Sequence, residues 1–330
     1  MKFSILMPVY NGVGFIRETL NSLLSQSFKD FEVIIVDDCS TDNTIKVIKS
    51  LKDKRIRLFK NKKNLGYPKN LEVCRKKAEG EIIYLLAQDD ILAKNALLNT
   101  YKALKENPKI GAVTRPYFWF DEDIKKPVRA KSQLNPQADE IVTINGKFSK
   151  IIQVFQTTDQ LSGLALREKF ISSPFSQDIF TCHVYPFASI FKNHPVVFLK
   201  DYIVAVRIRT SQSRKSASTY AKSPLQSWVD LFNQVFSEKK YDKLRIFCLK
   251  NYVAVNYVGL VQIKNYGKFS QLLKEILLLV KYRPANILTP LFWFYCLLTI
   301  VIPSFLLRPL TDWYKNAVNK IFLNNIKFSL

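Results

Sequence analysis

The sequence predicts an α/β protein: a mostly parallel sheet flanked by helices, followed by a helical, apolar and basic C-terminal extension. Three observations carry that prediction. Apolar, β-branched runs alternate with helix-period segments through the first hundred residues, as crossover connections between parallel strands require. Each run closes on a cluster of turn-forming or acidic residues. Beyond residue 216 the strand-like runs give way to helical patterning, which divides the chain into a domain over 1–215 and a helical region over 216–330.

Phe3-Ser4-Ile5-Leu6-Met7-Pro8-Val9 reads as a short buried strand stopped by Pro8 and the turn Asn11-Gly12. Ile16, Leu20, Leu23 and Leu24 then recur at helical spacing with polar residues between them. Phe31 to Val36 is a second apolar strand ending at Asp37-Asp38. Thr41-Asp42-Asn43-Thr44 opens a helix with capping chemistry, and Ile45, Val47, Ile48 and Leu51 give its apolar side. Ile56 to Phe59 is a third strand, Asn70 to Ala78 a helix closed by Gly80, and Ile82 to Ala87 a fourth strand. Tyr117 to Ser149 mixes aromatics, charges and proline without periodicity and reads as an irregular insertion. Tyr202 to Arg207 is strand-like, and Arg209 to Lys222 is a linker or a flexible active-site loop.

Composition narrows the function classes. With 48% hydrophobic residues, the chain buries enough apolar surface to exclude intrinsic disorder. Cys39, Cys74, Cys182, Cys248 and Cys296 are odd in number and widely spaced, the pattern of reduced thiols rather than a disulfide framework. Two histidines, His183 and His194, and no Cys-x-x-Cys pair leave a structural zinc site without ligands. Met1 to Pro8 is too short and too soon interrupted for a signal peptide. The net charge is +23, and residues 201–330 alone carry 19 basic and 6 acidic side chains. Such a concentration implies an anionic partner: nucleic acid, a lipid surface or a phosphorylated substrate.

In open parallel sheets the ligand crevice lies beyond the carboxyl ends of the strands. Tyr10-Asn11, Asp37-Asp38 and Gln88-Asp89-Asp90 all fall there. Neighbouring carboxylates repel one another, and a divalent cation shared with a diphosphate relieves that repulsion with hard oxygen ligands. Asp89-Asp90 suits that role. Asp37-Asp38 can accept hydrogen bonds from a base or ribose, with Tyr10 stacking on the base. Asp at strand ends and helix caps also occurs simply because turns favour it, and it is the recurrence in two pairs that favours a site.

These residues carry a resemblance. Ser4-Ile5-Leu6-Met7-Pro8-Val9-Tyr10-Asn11, Ser22 to Phe28, Glu32 to Thr44, Asn64-Leu65-Gly66, Ala78 to Tyr84 and Gln88-Asp89-Asp90 occur in an order that resembles the start of a glycosyltransferase family 2 enzyme. The resemblance implies a GT-A fold, a nucleotide-diphospho-sugar donor (UDP-linked), Mg²⁺ or Mn²⁺, and inversion at the anomeric carbon. Carried over position by position, Pro8, Val9 and Tyr10 line the nucleobase, Asp38 contacts it with Asp37 in support, and Lys69 lies near the diphosphate. Asp90 is the metal ligand and Asp89 its neighbour, although Ala87 stands where the family's metal motif begins with an acid. Asp178 is the implied catalytic base, with Gln177 where the family often has Glu. Arg209 stands where the family's late Arg-x-His segment commonly has His; an arginine there can fork onto phosphate.

Ala285 to Leu307 is 23 residues without a charge, bounded by Arg283 and Arg308, long enough to cross a bilayer. Its flanks carry equal positive charge, and Pro290 and Pro303 interrupt it. A segment that dips into the membrane or lies in its interface, with both ends cytoplasmic, fits better than a crossing; a buried core helix is the alternative. The expected protein is therefore an inverting transferase building a surface polysaccharide from the cytoplasmic face of the cell membrane, its acceptor a saccharide or lipid-linked saccharide. Three other readings compete. A catalytically silent scaffold is suggested by Ala87 and Gln177. A nucleic-acid-binding protein has the charge but no recognisable motif. A nicotinamide oxidoreductase lacks G-x-G-x-x-G after the first strand.

Overall fold

The structure, a computed structural model, describes residues 1–175, 178–208, 220, 222–317, 323 and 326–330. The chain divides into two compact units, 1–210 with 322–330, and 211–321.

In the first unit, β1 (Phe3–Val9), β2 (Phe31–Asp37), β3 (Ile56–Lys60) and β4 (Ile82–Leu85) run parallel in the order β3-β2-β1-β4. Every residue of β2, and all of β1 except Pro8, is buried. Burial on both faces is why these strands read as continuous apolar runs rather than as alternation. Helix α1 (Ile16–Leu24) turns Ile16, Thr19, Leu20 and Leu23 inward. These pack against Ile5, Met7, Val33 and Ile35 together with Leu97 and Leu104 of α4 (Ala96–Lys105). Helix α2 (Thr44–Ser50) lies beside α1, and α3 (Tyr67–Lys76) covers β1 and β2. Helix α3 starts three residues before the expected Asn70, because Pro68 sits in its first turn, where the missing N–H is harmless.

Past β4 the sheet becomes mixed: β10 (Ala165–Arg167) is antiparallel to β4 and to β6 (Ala112–Thr114), and β11 (Val196–Phe198) with β9 (Glu140–Val142) completes eight strands. A second sheet joins β5 (Ile91–Leu92), β12 (Val204–Arg207), β7 (Phe118–Phe120) and β8 (Arg129–Ala130) in that order. The segment expected to be irregular thus contains three strands. Each is two or three residues long and too short to show a period, and Phe118-Trp119-Phe120 is buried throughout. The last described residues also depart from expectation. Phe328 packs on Phe118 at 5.1 Å between ring centroids, and the Lys94 N–H donates to Ser329 O at 2.8 Å. Residues 326–330 therefore belong with the first unit, not with the helical region.

The helical unit contains α7 (Pro224–Val235), α8 (Asp242–Cys248), α9 (Val258–Tyr266), α10 (Phe269–Tyr282), α11 (Pro290–Val301) and α12 (Ser304–Ala317). Asn286 ties its turns together. Its amide donates to Ala254 O and Leu279 O at 2.8 and 2.9 Å, and its carbonyl accepts the Tyr257 hydroxyl at 2.6 Å. The uncharged stretch 285–307 is broken at Pro290 and Pro303, each opening a new helix. Helix α11 has 12 residues, about 18 Å at 1.5 Å per residue against a hydrocarbon layer of about 30 Å. Among the described residues no single helix is long and apolar enough to cross a membrane. A bent pair, Lys239–Val253 with Val258–Tyr266 at 62°, reaches that length and composition only together.

Candidate active site

Parallel pairing puts the carboxyl ends of β1, β2 and β4 on one edge: Val9 lies opposite Asp37, and Leu6 opposite Leu85. The three polar clusters that follow these strands are bonded to one another. The Tyr10 N–H donates to Gln88 Oε1 and Gln88 Nε2 donates back to Tyr10 O, both at 3.0 Å. The Asp38 N–H donates to Val9 O at 2.8 Å, and the Asn11 N–H to Ser40 Oγ at 2.9 Å. A Cβ on Gly12 would lie 2.6 Å from Gln88 Oε1, so a larger residue there would displace the Gln88 amide from these bonds. Asn11 and Cys39, the second residues past β1 and β2, adopt left-handed backbone with φ of 48° and 63°. Asn tolerates that region; Cys39 costs on the order of 1 kcal/mol there, a strain of the kind that collects at functional edges.

The first acidic pair divides its work. Asp38 is buried, and its carboxylate is engaged by the chain itself: Oδ1 accepts Asn61 Nδ2 and the Leu65 N–H, both at 2.8 Å, and Oδ2 accepts the Gly66 N–H at 2.9 Å. It holds the loop from β3 to α3 rather than presenting open acceptors to a base. Asp37 is fully buried; Oδ2 accepts the Ser40 N–H at 3.1 Å, while Oδ1 has no hydrogen-bond partner. A buried carboxylate oxygen without a partner is costly, and on this edge that oxygen is Asp37 Oδ1. Tyr10 is 38% exposed, with Pro8 half-buried and Val9 buried behind it. Lys69 is exposed on the first turn of α3.

The second pair divides in the same way. Asp90 is 3% exposed; Oδ2 accepts Ser162 Oγ at 2.6 Å and Oδ1 the Arg207 N–H at 3.1 Å. Burial, then the adjacent Asp89 charge, pushes the Asp90 carboxyl up to about 7. Asp89 is half-buried, and is the member of the pair that solvent reaches. Among the described residues no group of three or more His, Cys, Asp or Glu side chains is gathered as a metal cage. A protein-only site is not what this chemistry needs: Mg²⁺ and its like are held by one or two carboxylates with substrate phosphates and water. Asp89 backed by Asp90 fits that donor set.

Sequence reasoning missed the residues that hold this segment. Arg207 ends β12; its Nε donates to Asp89 O at 3.3 Å, its guanidinium pairs with Glu18, and it lies over Phe15 and Phe120 at 5.2 and 4.5 Å. The signal was a charge closing the apolar run Val204-Ala205-Val206. The residue chosen from that stretch, Arg209, lies outside the described residues, as does Gln177. Ser162 accepts the Ala87 N–H at 2.9 Å while bonding Asp90. Arg115, wholly buried, donates to the carbonyls of Ser162, Thr157 and Gln160 at 2.7, 2.9 and 2.8 Å, and so fixes the loop that carries Ser162.

Asp178 is 5% exposed, and Oδ1 accepts the Phe180 and Thr181 N–H groups at 2.8 and 3.2 Å. It braces the turn into α6 (Val184–Asn193). Next to that turn, His183 Nε2 lies 2.8 Å from Thr158 O and Nδ1 lies 3.3 Å from the Tyr67 hydroxyl. A carbonyl only accepts, so Nε2 carries the proton and Nδ1 takes the Tyr67 O–H. Burial holds this imidazole neutral, down to about 4. Tyr67 follows Gly66, whose N–H Asp38 binds, so the Asp178 turn is tied to the wall of the same edge.

Comparison with known proteins agrees with this architecture. Residues 4–165 match the profile of Glycosyl transferase family 2. Poly(ribitol-phosphate) beta-N-acetylglucosaminyltransferase TarS of Staphylococcus aureus is 38% identical over 111 residues, which is 32% of this chain and 19% of that protein. The match thus spans about a fifth of that relative's length. The crystal structure of TarS 1–349 covers 96% of this chain and 91% of its own at 21% identity with a TM-score of 0.64, and its complex with UDP-GlcNAc superposes with 0.60. Mannosyltransferase PcManGT from Pyrobaculum calidifontis, in complex with GDP-Man and Mn²⁺, covers 89% of this chain and 85% of its own at 16% identity with a TM-score of 0.56. At such identities these structures establish the fold, which is GT-A.

Proposed function

We propose that this chain, which carries a glycosyl transferase family 2 domain over residues 4–165, moves a sugar with inversion from a nucleotide-diphospho-sugar to a hydroxyl of a saccharide acceptor. The observation that carries the reading is the bonding of the Tyr10, Asp38 and Gln88–Asp90 clusters at one sheet edge. UDP is the favoured nucleotide, since TarS binds UDP-GlcNAc. Asp37 Oδ1, unpaired in the protein, would accept a base N–H or ribose hydroxyl, and Tyr10 carries an exposed ring just past the end of β1. The acceptor is a surface polymer or its lipid-linked precursor, met at the inner face of the cytoplasmic membrane. A phosphate-bearing polymer such as the poly(ribitol-phosphate) of the TarS name suits a chain of net charge +23.

In this mechanism the acceptor oxygen attacks the anomeric carbon, the bond from that carbon to the diphosphate breaks, and the hydroxyl proton passes to Asp178. The two backbone N–H groups on Asp178 Oδ1 fix the carboxylate's direction, which is what a general base requires. Lys69 places a cation near the departing diphosphate. Asp89, supported by Asp90 and Arg207, would hold Mg²⁺ or Mn²⁺, which supplies charge neutralisation to the diphosphate when bound.

The test is a screen of sugar nucleotides, with and without Mn²⁺, reading free nucleoside diphosphate in the presence of membrane lipid and saccharide acceptors. Release that falls at least a hundredfold in Asp89→Asn and in Asp178→Asn is expected. No release from any donor overturns the activity and leaves a catalytically silent scaffold; release unchanged in both variants overturns the assignment of Asp89 and Asp178.

A further inference from the structure

The helical unit carries a surface that an aqueous protein rarely tolerates. In α11, Phe292, Cys296 and Thr299 are buried, yet the outer side is as apolar as the inner. Leu291, Phe294, Leu297 and Val301 are 55, 57, 59 and 70% exposed, and Phe305 at the start of α12 is 72% exposed. Soluble monomers seldom present contiguous apolar patches beyond a few hundred Å², and larger ones mark contact with protein or lipid.

Three observations say what covers it. First, polar groups in the segment are satisfied from within: Trp293 Nε1 donates to Ile287 O at 2.7 Å, and Thr299 Oγ1 to Tyr295 O at 2.7 Å. Groups that enter hydrocarbon must be paired in this way, whereas an aqueous protein interface usually offers them partners. Second, charge around the patch has one sign. No acidic residue occurs between Glu275 and Asp312, while Lys281, Arg283 and Arg308 do, and residues 211–321 hold 16 basic and 5 acidic side chains. A second copy of the chain would bring like charge to like charge; an anionic surface is complementary. Third, Trp293 and Trp313 stand exposed among the aliphatic side chains, the aromatic composition of segments that settle at the water–lipid boundary.

We propose that the outer face of α11 and the start of α12 seat the helical unit in the interfacial layer of an anionic bilayer, lying in its plane without crossing it. The short helices, broken at Pro290 and Pro303, make that geometry natural. The inference deepens the membrane placement in the function proposed above, and its test is independent of catalysis.

The 330-residue chain is mixed with vesicles of phosphatidylcholine alone or of phosphatidylcholine with phosphatidylglycerol, and the bound fraction is read by flotation. Binding is expected to the anionic vesicles, to weaken as salt is raised, and to be slight on the neutral ones. A combined variant, Phe294→Ser with Leu297→Asn and Val301→Ser, alters only exposed positions. It should keep its circular dichroism and lower the partition coefficient roughly a hundredfold. Brominated acyl chains should quench tryptophan emission, and Trp293→Phe should reduce that quenching. The proposal is overturned if the wild-type chain stays in the soluble fraction, or if brominated lipid leaves its emission unchanged. It is equally overturned if the triple variant abolishes a dimer seen on size exclusion and leaves vesicle binding intact. A chain that binds vesicles but turns over no sugar nucleotide refutes the proposed activity alone; the converse refutes only this docking.

Discussion

Replacing Ser162 by Ala tests whether the hydroxyl sets the charge state of the acidic pair. Ser162 Oγ donates to Asp90 Oδ2 at 2.6 Å and accepts the Ala87 N–H at 2.9 Å. The Asp90 carboxyl stands at about 7 against an ordinary 3.8. A folded value raised in this way means that the native state binds the proton more tightly than the unfolded chain. The stability it contributes is full below 3.8 and is lost as pH rises through about 7. A hydrogen bond to a charged acceptor is worth about 1.5–3 kcal/mol and one to a neutral acceptor about 1. Ser162→Ala should therefore cost about 1 kcal/mol at pH 5, where Asp90 is protonated, and about 2–3 kcal/mol at pH 8.5, where it is ionised. The difference equals roughly one unit of further upward movement of the Asp90 carboxyl. Urea unfolding of both proteins across this range, with chelator present so that no cation holds the carboxylate ionised, gives the measurement. A cost that is the same at both ends of the range would refute the link between Ser162 and the charge on Asp90.

Three further outcomes follow from individual positions. His183 is held neutral at about 4 against an ordinary 6.5, so its contribution is intact above 6.5 and lost as pH falls toward 4; His183→Gln should flatten up to about 3 kcal/mol of the acid limb in urea midpoints between pH 4 and 7. Asp37→Asn removes the charge from an oxygen with no partner in the protein; UDP affinity by calorimetry should fall about tenfold or more while the melting temperature moves little. Gly80→Ala would place a Cβ 2.7 Å from Ser4 N and 2.8 Å from Lys2 O; because both are backbone atoms of β1 or its lead-in, a loss of about 1–3 kcal/mol is expected in thermal unfolding.

Much of the first unit was legible because its information is local. The continuous apolar runs of β1 and β2 report burial on both faces. The Ile16, Leu20, Leu23 spacing reports one helix face, and acids at strand ends inherit their placement from topology. The residues that hold the site were not legible, because their partners are remote. Ser162 lies 72 positions from Asp90 and the bonding N–H of Arg207 lies 117 away, and no window along the chain contains both. Arg115 illustrates the same limit: its three carbonyl partners come from 157–162, and a lone arginine beside an apolar strand looks like any surface charge. The C-terminal run was legible in composition but not in shape. Twenty-three uncharged residues suggest one element, and Pro290 and Pro303 make it three.

The two acidic pairs show why sequence alone could place the carboxylates yet not apportion their roles. Adjacent charges at a strand end repel, and a fold can hold them only by meeting one of them with donors. In each pair the second residue receives those donors: Asp38 from Asn61, Leu65 and Gly66, and Asp90 from Ser162 and Arg207. The first residue of each pair is placed differently: Asp37 keeps an oxygen without a partner, and Asp89 stands half-buried where solvent reaches it. The donors to Asp38 are three, two of them backbone N–H groups; those to Asp90 are two, and Asp90 is the carboxyl pushed up to about 7. Burial first, and the neighbouring Asp89 charge second, leave this second pair short of positive charge. That deficit lies where a cation and the phosphates of a donor would be bound, and a ligand that corrects it gains affinity from the fold's own imbalance.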